Sequence, residues 1–226
     1  MEMHGIVNAL NLPFPSVVAV VGCGGKTSLI RRLADSYQDA RVLISPTTKM
    51  YTMQTGNAHC RGVLRAETGK LEALPADELA GLTPQYDITL LEADGSRSLP
   101  CKGWLENEPV VPEYCTHTVG IVTMNGLDRA ATGESVHNLP EFLSLTGLRE
   151  GQAITMQALH DMVCAGGGMF KNSTGSRILL VNQVEDQNAA DIAGGFLLVV
   201  KKRCPGFFAK LLFGSVHLDI WQEVER

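Results

Sequence analysis

The most constraining feature of this sequence is a short apolar run that breaks into glycine and continues at once as a helical pattern. Val17 to Val21 consists mostly of β-branched residues, which is typical of a buried parallel strand. The run ends at Gly22-Cys23-Gly24-Gly25, and Lys26-Thr27-Ser28 opens a segment whose apolar residues recur on one helical face. The pattern predicts a strand, a glycine-rich turn and a helix.

A turn of this kind is suited to binding phosphate. The backbone N–H groups of the turn and of the first helical turn have no partner inside the helix, and they converge on an anion at the positive end of the helix dipole. Glycine lets a phosphate approach the main chain and tolerates positive φ. We expect Lys26 to reach the terminal phosphates and the Thr27 hydroxyl to bind Mg²⁺. The predicted nucleotide-binding residues are Gly22, Cys23, Gly24, Gly25, Lys26, Thr27 and Ser28.

The loop departs from the full pattern GxxxxGK[ST], because Val20 stands at the position of the first glycine. The shortened loop from Gly22 to Thr27 is similar to the GTNGKT loop of the Mur ligases. An ordinary glycine-rich turn between a strand and a helix is the alternative interpretation. The apolar strand before the loop and the amphipathic helix after it favour nucleotide binding.

A carboxylate is expected at the end of a neighbouring strand, because phosphoryl chemistry needs one to hold Mg²⁺ and to orient water. The apolar strand from Asp87 to Glu92 ends in the sequence EADGS. We expect Glu92, Thr27 and Thr48 to hold the metal, and Asp94 to position the attacking water. Lys26, Glu92 and Asp94 are the predicted catalytic residues. A strand end followed by turn residues is the alternative.

A later apolar run, from Arg177 to Val181, ends in the sequence NQVE. GTPases of the P-loop class have NKxD at this point, where the Asn braces the phosphate loop and the Asp binds guanine. We therefore expect Asn182 and Glu185 to contact the nucleotide. Because Gln and Glu replace the usual Lys and Asp, the choice between ATP and GTP stays open.

Composition excludes several other classes of protein. The chain has 226 residues, of which 45% are hydrophobic and 19% charged, and its net charge is −5. An acidic chain without a basic face is not expected to bind nucleic acid. We expect no membrane span, no secretory signal and therefore a cytoplasmic location. The six cysteines form no CxxC pair, which argues against the common zinc sites, and we expect the helix N-terminus to lower the pKa of Cys23 and make it reactive.

The order of the predicted elements indicates an α/β fold with a mainly parallel sheet flanked by helices, similar to P-loop NTPases. We expect a single domain over residues 1–226, with a small β-rich insertion at about 54–86 in which a hairpin turns at Glu67-Thr68-Gly69-Lys70. The other predicted elements are strands at 41–45, 118–122 and 210–213, and helices beginning near Pro140, Thr155 and Ala189.

Six segments taken together resemble the YqeC family: GCGGKTS, SPTTKM, LLEADGSRSLPCKG, VHNLPEF, GGGMFKNS and LLVNQVE. The resemblance runs from about residue 5 to the C-terminus. Members are described as selenium-dependent hydroxylase accessory proteins that help to mature molybdenum-containing hydroxylases. The resemblance thus implies an accessory or maturation factor, with a molybdenum hydroxylase as its client.

Three functions are compatible with these residues. The first is a Mg²⁺-dependent nucleotide hydrolase that acts as a maturation factor. The second is a Mur-ligase-like or kinase-like enzyme that uses a nucleoside triphosphate on a small acidic substrate, which Arg97 and Lys102 would clamp. The third is a non-catalytic carrier of molybdenum cofactor or of a selenium species, with Cys23 or Cys101 handling selenium. His137 is a further candidate for the site, and a local hydrogen bond is its alternative role.

Overall fold

A computed structural model describes residues 3–224 of the chain. Its helices are α1 (Ile6–Leu10), α2 (Lys26–Ser36), α3 (Ala76–Leu82), α4 (Leu139–Thr146), α5 (Met156–Cys164) and α6 (Gln187–Arg203), with 3₁₀ turns at Thr83–Gln85 and Met124–Gly126. Its strands are β1 (Ser16–Gly22), β2 (Val42–Pro46), β3 (Lys49–Tyr51), β4 (His59–Cys60), β5 (Val63–Arg65), β6 (Lys70–Glu72), β7 (Ile88–Glu92), β8 (Cys101–Lys102), β9 (His117–Thr123), β10 (Val136–His137), β11 (Ser176–Asn182), β12 (Lys210–Ser215) and β13 (Ile220–Glu223).

The main sheet has eight strands in the order β13-β12-β11-β9-β1-β7-β2-β4. Every neighbouring pair from β12 to β4 is parallel, and only β13 at the edge runs antiparallel to β12. The predicted α/β fold with a mainly parallel sheet is therefore confirmed. Because β1 lies between β7 and β9 in parallel register, with Val20 opposite Glu92, the ends of these strands meet at one edge of the sheet.

Burial on both faces explains the continuous apolar character of β1. Ala19 and Val21 contribute to the core on one face of the sheet, and Val18 and Val20 contribute to the core on the other. Helix α2 covers the second face with its predicted apolar stripe, Leu29, Ile30 and Leu33, whereas α5 and α6 cover the first. Helices therefore flank the sheet on both sides, as expected for a parallel sheet.

The hairpin predicted in the insertion is present, since β5 and β6 pair antiparallel across the turn at 66–69. The segment pairs with strands outside the predicted insertion, which the sequence did not indicate. Strand β3, which precedes position 54, pairs with β6 to complete a three-stranded sheet, and β4 adds a parallel strand to the main sheet. Met50 and Leu71 join the main core. This small sheet consequently stands next to the end of β2.

Helix signals in the second half of the chain are confirmed. Pro140 lies in the first turn of α4, and Gly147 ends the helix in a left-handed conformation with φ 71°. The Thr155 hydroxyl caps α5 by accepting from the N–H of Ala158. Helix α6 begins two residues earlier than predicted, because the Asp186 side chain caps it.

Some elements carried no usable sequence signal. Helix α1 has five residues, which is too short for a periodic pattern. Strand β13 packs Trp221 into the core with 1% exposure, although its flanking sequence gave no strand pattern. None of the helices between residues 3 and 224 combines the length and the apolarity needed to cross a bilayer.

Candidate functional site

The loop between β1 and α2 has the backbone geometry expected of a phosphate cradle. Gly22, Gly24 and Gly25 adopt φ values of 100°, 104° and 122°, which favour glycine. A Cβ on Gly24 would lie 2.9 Å from the side chain of Thr123, so the loop is also packed too closely for a larger residue. Helix α2 begins at Lys26, and its first N–H groups have no partner inside the helix.

The N–H groups at the start of the loop are already engaged. The N–H of Gly22 donates to the Asp94 carboxylate at 3.0 Å, and that of Cys23 donates to the carbonyl of Ile121 at 2.9 Å. Neither Gly22 nor Cys23 lines either of the two cavities beside the loop, whereas the residues from Gly24 to Ser28 do. The predicted phosphate cradle is therefore shorter than expected, because only residues 24–28 can offer main-chain donors to an anion.

The ammonium group of Lys26 lies against the loop from the inside. It donates to the carbonyl of Gly22, forms an ion pair with Asp94 at 3.1 Å, and contacts the hydroxyl of Ser96 at 3.2 Å. The residue is 4% exposed. Burial alone would lower the pKa of Lys26, but the carboxylates of Asp94 and Glu92 outweigh it and raise the pKa above its usual value. Lys26 is therefore firmly charged, and all three of its donors have a partner.

Asp94 is fully buried at the junction of the loop and the core. Its carboxylate accepts from the N–H of Gly22 and, at 2.7 Å, from the indole N–H of Trp104. It also pairs with Lys26 at 3.1 Å and with Lys102 at 3.7 Å. A carboxylate with these partners and no exposed surface does not fit the predicted role of positioning an attacking water. Asp94 instead holds the glycine-rich loop, through Gly22, and the Lys26 ammonium in place.

Lys102 is also fully buried, which contradicts the expectation that it clamps an acidic substrate. Its ammonium pairs with Glu108 at 2.9 Å and donates to the carbonyl of Gly95. The burial of Lys102 could not be predicted from the sequence, because no local pattern shows that β8 and β10 pair and carry it inward. Arg97, by contrast, is exposed and lines the large cavity described below.

The three predicted metal ligands, Thr27, Glu92 and Thr48, lie together at the mouth of the loop. The Thr27 hydroxyl donates to Glu92 at 3.0 Å, and the Thr48 hydroxyl is buried with no hydrogen-bond partner. All three residues line one cavity. Burial raises the pKa of Glu92 despite the opposing charge of Lys26. The neighbouring Thr47 does not take part, because its hydroxyl donates to the carbonyl of Val110 at 2.6 Å.

This donor set fits Mg²⁺, which prefers oxygen ligands and usually keeps several waters. One carboxylate oxygen, one hydroxyl next to it and an orphaned hydroxyl at Thr48 are hard donors of the right type. Within residues 3–224, no group of three or more His, Cys, Asp and Glu side chains converges to hold a metal. A magnesium ion here would thus depend on hydroxyls, phosphate oxygens and water in addition to Glu92.

Asn182, at the end of β11, forms the predicted contact with the glycine-rich loop. The amide of Asn182 donates to the carbonyl of Gly24 at 2.7 Å, and its oxygen accepts from the N–H of Val216 at 2.9 Å. Glu185 accepts from the hydroxyl of Ser215 at 2.8 Å. These residues line a cavity of about 520 Å³ beside α2. The residues of the NQVE sequence therefore lie on the side of the loop where a nucleoside would be expected.

A larger cavity of about 720 Å³ lies on the other side of the loop. It is bounded by Lys26, Thr27 and Glu92, by the segment 95–100, and by residues of the small sheet. Sequence analysis missed most of its wall, because the contributing residues come from segments that are distant in the chain and share no motif. The missed residues are Lys49, Met50, Tyr51, Lys70, Glu108, Thr123, Asn125, Arg129 and Gln183.

The prediction of a reactive Cys23 is wrong. The residue is fully buried, and its thiol points to the carbonyl of Pro100 at 3.0 Å. Burial, which outweighs the charge of Lys26, raises the pKa of the Cys23 thiol to about 12. Burial also raises the pKa of the Cys101 thiol well above its usual range. Both thiols are thus protonated and enclosed, which removes the structural basis for selenium handling by either cysteine.

His137 lies in the wall of the large cavity. Burial lowers the pKa of its imidazole, and the nearby charges of Lys102 and Arg97 lower it further. The ring is therefore neutral at physiological pH and could accept or donate a hydrogen bond.

The family model described as YqeC protein matches residues 18–140. A protein of Escherichia coli (strain K12), named "Uncharacterized protein YqeC", is 30% identical over 182 residues, which is 70% of this chain and 71% of that protein. No solved structure matches the chain.

Proposed function

The chain belongs to the YqeC family, and from this premise and the geometry of the loop we propose that it binds a nucleoside triphosphate with Mg²⁺ and hydrolyses it slowly. The observation that carries the proposal is the pairing of Thr27 with Glu92 at 3.0 Å, next to the open N–H groups of residues 24–28. This arrangement would bring a bound phosphate and its metal ion side by side.

In this proposal the β and γ phosphates lie on the N–H groups of residues 24–28. Lys26 supplies the positive charge that phosphate oxygens need, and it can do so by exchanging one partner. Of its three contacts, the one to the Ser96 hydroxyl at 3.2 Å is the longest, and its acceptor is uncharged. A phosphate oxygen would replace this neutral acceptor with an anionic one, which strengthens the hydrogen bond from the ammonium group.

Mg²⁺ would be held by Thr27, Glu92 and Thr48. A bound magnesium ion would neutralise negative charge on the phosphate oxygens. Glu92 is 7% exposed, and its raised pKa reflects an unfavourable buried charge. A cation at this carboxylate relieves that cost, so the protein and the metal stabilise each other.

The base would occupy the cavity of about 520 Å³ that contains Asn182 and Glu185. Glu185 can accept hydrogen bonds from the guanine edge, although one of its oxygens already accepts from Ser215 at 2.8 Å. Guanine is therefore the favoured base in this proposal, and adenine is tested beside it.

Family membership supports an accessory role in general terms, and maturation of a molybdenum hydroxylase is the form of that role that we propose. A physical route for such a role exists in the segment 95–100, since Ser96 contacts the phosphate-binding lysine at 3.2 Å. Loading and release of phosphate would alter this contact and move the segment, which is how many nucleotide switches act.

A thermal-shift titration with ATP and GTP, each with and without Mg²⁺, tests the proposal. Ligand at 100 times its dissociation constant adds about 2.7 kcal/mol, which corresponds to about 5 to 11 °C for a domain of this size. We expect this shift for wild type and its loss for Lys26→Met. The exposed Lys202 provides the matched control, because Lys202→Met should keep the shift.

Release of inorganic phosphate, measured in the same samples, tests hydrolysis. A nucleotide-dependent shift without phosphate release would restrict the function to binding. No shift with either nucleotide, at concentrations up to the millimolar range, would refute the proposal.

A further inference from the structure

Both cavities adjoin the phosphate loop. Gly25, Thr27, Ser28 and Gln183 line both, while Asn182 and Glu185 belong only to the smaller cavity and Lys26 and Glu92 only to the larger. A nucleotide with its base beside Glu185 would therefore direct its terminal phosphate towards the larger cavity. That cavity is also lined by Arg97, Arg129 and residues of the small sheet, which have no role in the proposed nucleotide site.

The wall of the larger cavity is strongly basic for a chain with a net charge of −5. Its acidic residues are Glu92 and Glu108, and its basic residues are Lys26, Lys49, Lys70, Arg97 and Arg129. Two of the basic groups are neutralised, because Lys26 pairs with Asp94 at 3.1 Å and Lys49 pairs with Glu72 at 2.9 Å. Glu108 is likewise paired with Lys102 at 2.9 Å.

Of the three remaining basic groups, Lys70 lies over the ring of Tyr51, and Arg97 and Arg129 are available to a ligand. Both are exposed, and neither forms an ion pair with any acidic residue in the part of the chain that the structure describes. Arg97 follows β7 and has φ 50°, a left-handed conformation that is unfavourable for a residue other than glycine. Arg129 follows the 3₁₀ turn at Met124–Gly126. Two separate segments thus bring an unpaired guanidinium group to the same cavity.

The small sheet supplies the opposite wall. Tyr51 is 63% exposed although it is aromatic, and the ammonium of Lys70 lies 4.6 Å from the centre of its ring. This pair offers a third cation together with a flat apolar surface. A ligand with an anionic group and a compact carbon skeleton would find partners for both parts.

We propose that the larger cavity binds a second small molecule, one that carries a phosphate or carboxylate group, and that Arg97 and Arg129 hold this group facing the nucleotide's terminal phosphate. The inference rests on the proposed function, because the nucleotide defines which end of the cavity is occupied. Guanidinium groups bind phosphate and carboxylate alike with paired hydrogen bonds. The experiment below therefore distinguishes a phosphate-bearing ligand from a carboxylate-bearing one.

The test is calorimetric titration of wild-type protein saturated with Mg²⁺ and a non-hydrolysable triphosphate analogue. Inorganic phosphate and citrate are the two probes, and sodium chloride holds the ionic strength constant. We expect at least one probe to bind, and the double variant Arg97→Ala/Arg129→Ala to bind it about tenfold more weakly or worse. Binding of citrate alone indicates a carboxylate ligand, and binding of phosphate alone indicates a phosphorylated one.

Arg149→Ala is the matched control, since Arg149 is exposed and lines neither cavity. It should bind the probe as wild type does. The proposal is overturned if wild type binds neither probe, if the double variant binds within twofold of wild type, or if the double variant also loses the triphosphate analogue. The last result would assign the two arginines to the nucleotide.

Failure of the proposed function would be recognised separately. If wild type binds no nucleotide, the same probes are titrated into nucleotide-free Lys26→Met protein, in which the loop lysine cannot contribute. Binding that depends on Arg97 and Arg129 there would support the anion site while the nucleotide proposal fails. Absence of binding there would refute both.

Discussion

Replacing Asp94 by Asn should destabilise the protein strongly, because the change removes one buried negative charge between two buried lysines. Lys26 and Lys102 have side-chain exposures of 3% and 0% and lie 3.1 and 3.7 Å from the Asp94 carboxylate. Asn keeps the size of the side chain and one oxygen, which can still accept from the N–H of Gly22 or the indole of Trp104. The variant therefore removes the charge and replaces one acceptor oxygen by an amide N–H donor, without changing the size of the side chain.

The size of the destabilisation depends on which ion pairs the two lysines keep in the variant. Breaking a buried pair by removing one partner costs about 3 to 5 kcal/mol, and the lower end applies here because Glu108 still pairs with Lys102 at 2.9 Å. A loss of about 3 kcal/mol lowers the melting temperature of a domain of this size by about 6 to 12 °C. Equilibrium denaturation in urea, followed by circular dichroism, measures the free energy of unfolding directly.

Asp161→Asn is the control for this measurement. It breaks the Asp161–Arg203 pair, which spans 2.6 Å but is 17% and 33% exposed, so it should cost at most about 1 kcal/mol. If Asp94→Asn lowers the free energy of unfolding no more than Asp161→Asn does, the buried network does not hold the loop, and the assignment of Asp94 as an internal anchor is refuted.

Three further predictions concern single residues of the site. Asn182→Ala leaves the carbonyl of the phosphate loop without its donor, and we expect a loss of about 1 to 3 kcal/mol in urea denaturation together with weaker nucleotide binding. In a short iodoacetamide pulse at pH 8, followed by peptide mass spectrometry, the partly exposed Cys60 should be alkylated and Cys23 should not, because its pKa near 12 leaves it protonated. Glu92→Gln should raise the melting temperature at neutral pH, since the raised folded-state pKa of Glu92 means that its ionised form is disfavoured on folding; the gain should fade as the pH falls to about 4, where the unfolded carboxyl protonates too. A Glu92→Gln variant that is less stable than wild type at neutral pH would contradict this.

The parts of the site that could be predicted from sequence are those fixed by parallel strands. Strands β1, β7 and β11 each read as an apolar run; β1 leads into the glycine-rich loop, and β7 and β11 end in polar residues. Because parallel strands present the same ends at one edge of the sheet, their polar residues had to meet. The contact of Asn182 with Gly24 at 2.7 Å, across 158 positions of sequence, follows from this rule alone.

Burial of charge could not be predicted in the same way. Glu92 and Asp94 are two positions apart after the same strand, and both were assigned to the reaction. The structure separates them, because Glu92 lines the large cavity while Asp94 is enclosed by Trp104 and Lys102. Which carboxylate faces inward is decided by side chains that arrive eight and ten residues later, and no local pattern contains that information.

The structure also determines how the two proposed ligands would influence each other. Lys26 uses all three donors in the absence of ligand, so a phosphate would have to displace one of its partners, and the contact to Ser96 is the longest. Ser96 is followed directly by Arg97, which is proposed to hold the second ligand, so the displacement changes the position of one of its anion-binding groups. A change in one ligand's affinity caused by the other must be matched by an equal factor in the reverse direction. If both proposals hold, nucleotide loading at the loop and anion binding in the larger cavity would report on one conformational equilibrium in the segment 95–100, and either ligand could be used to measure it.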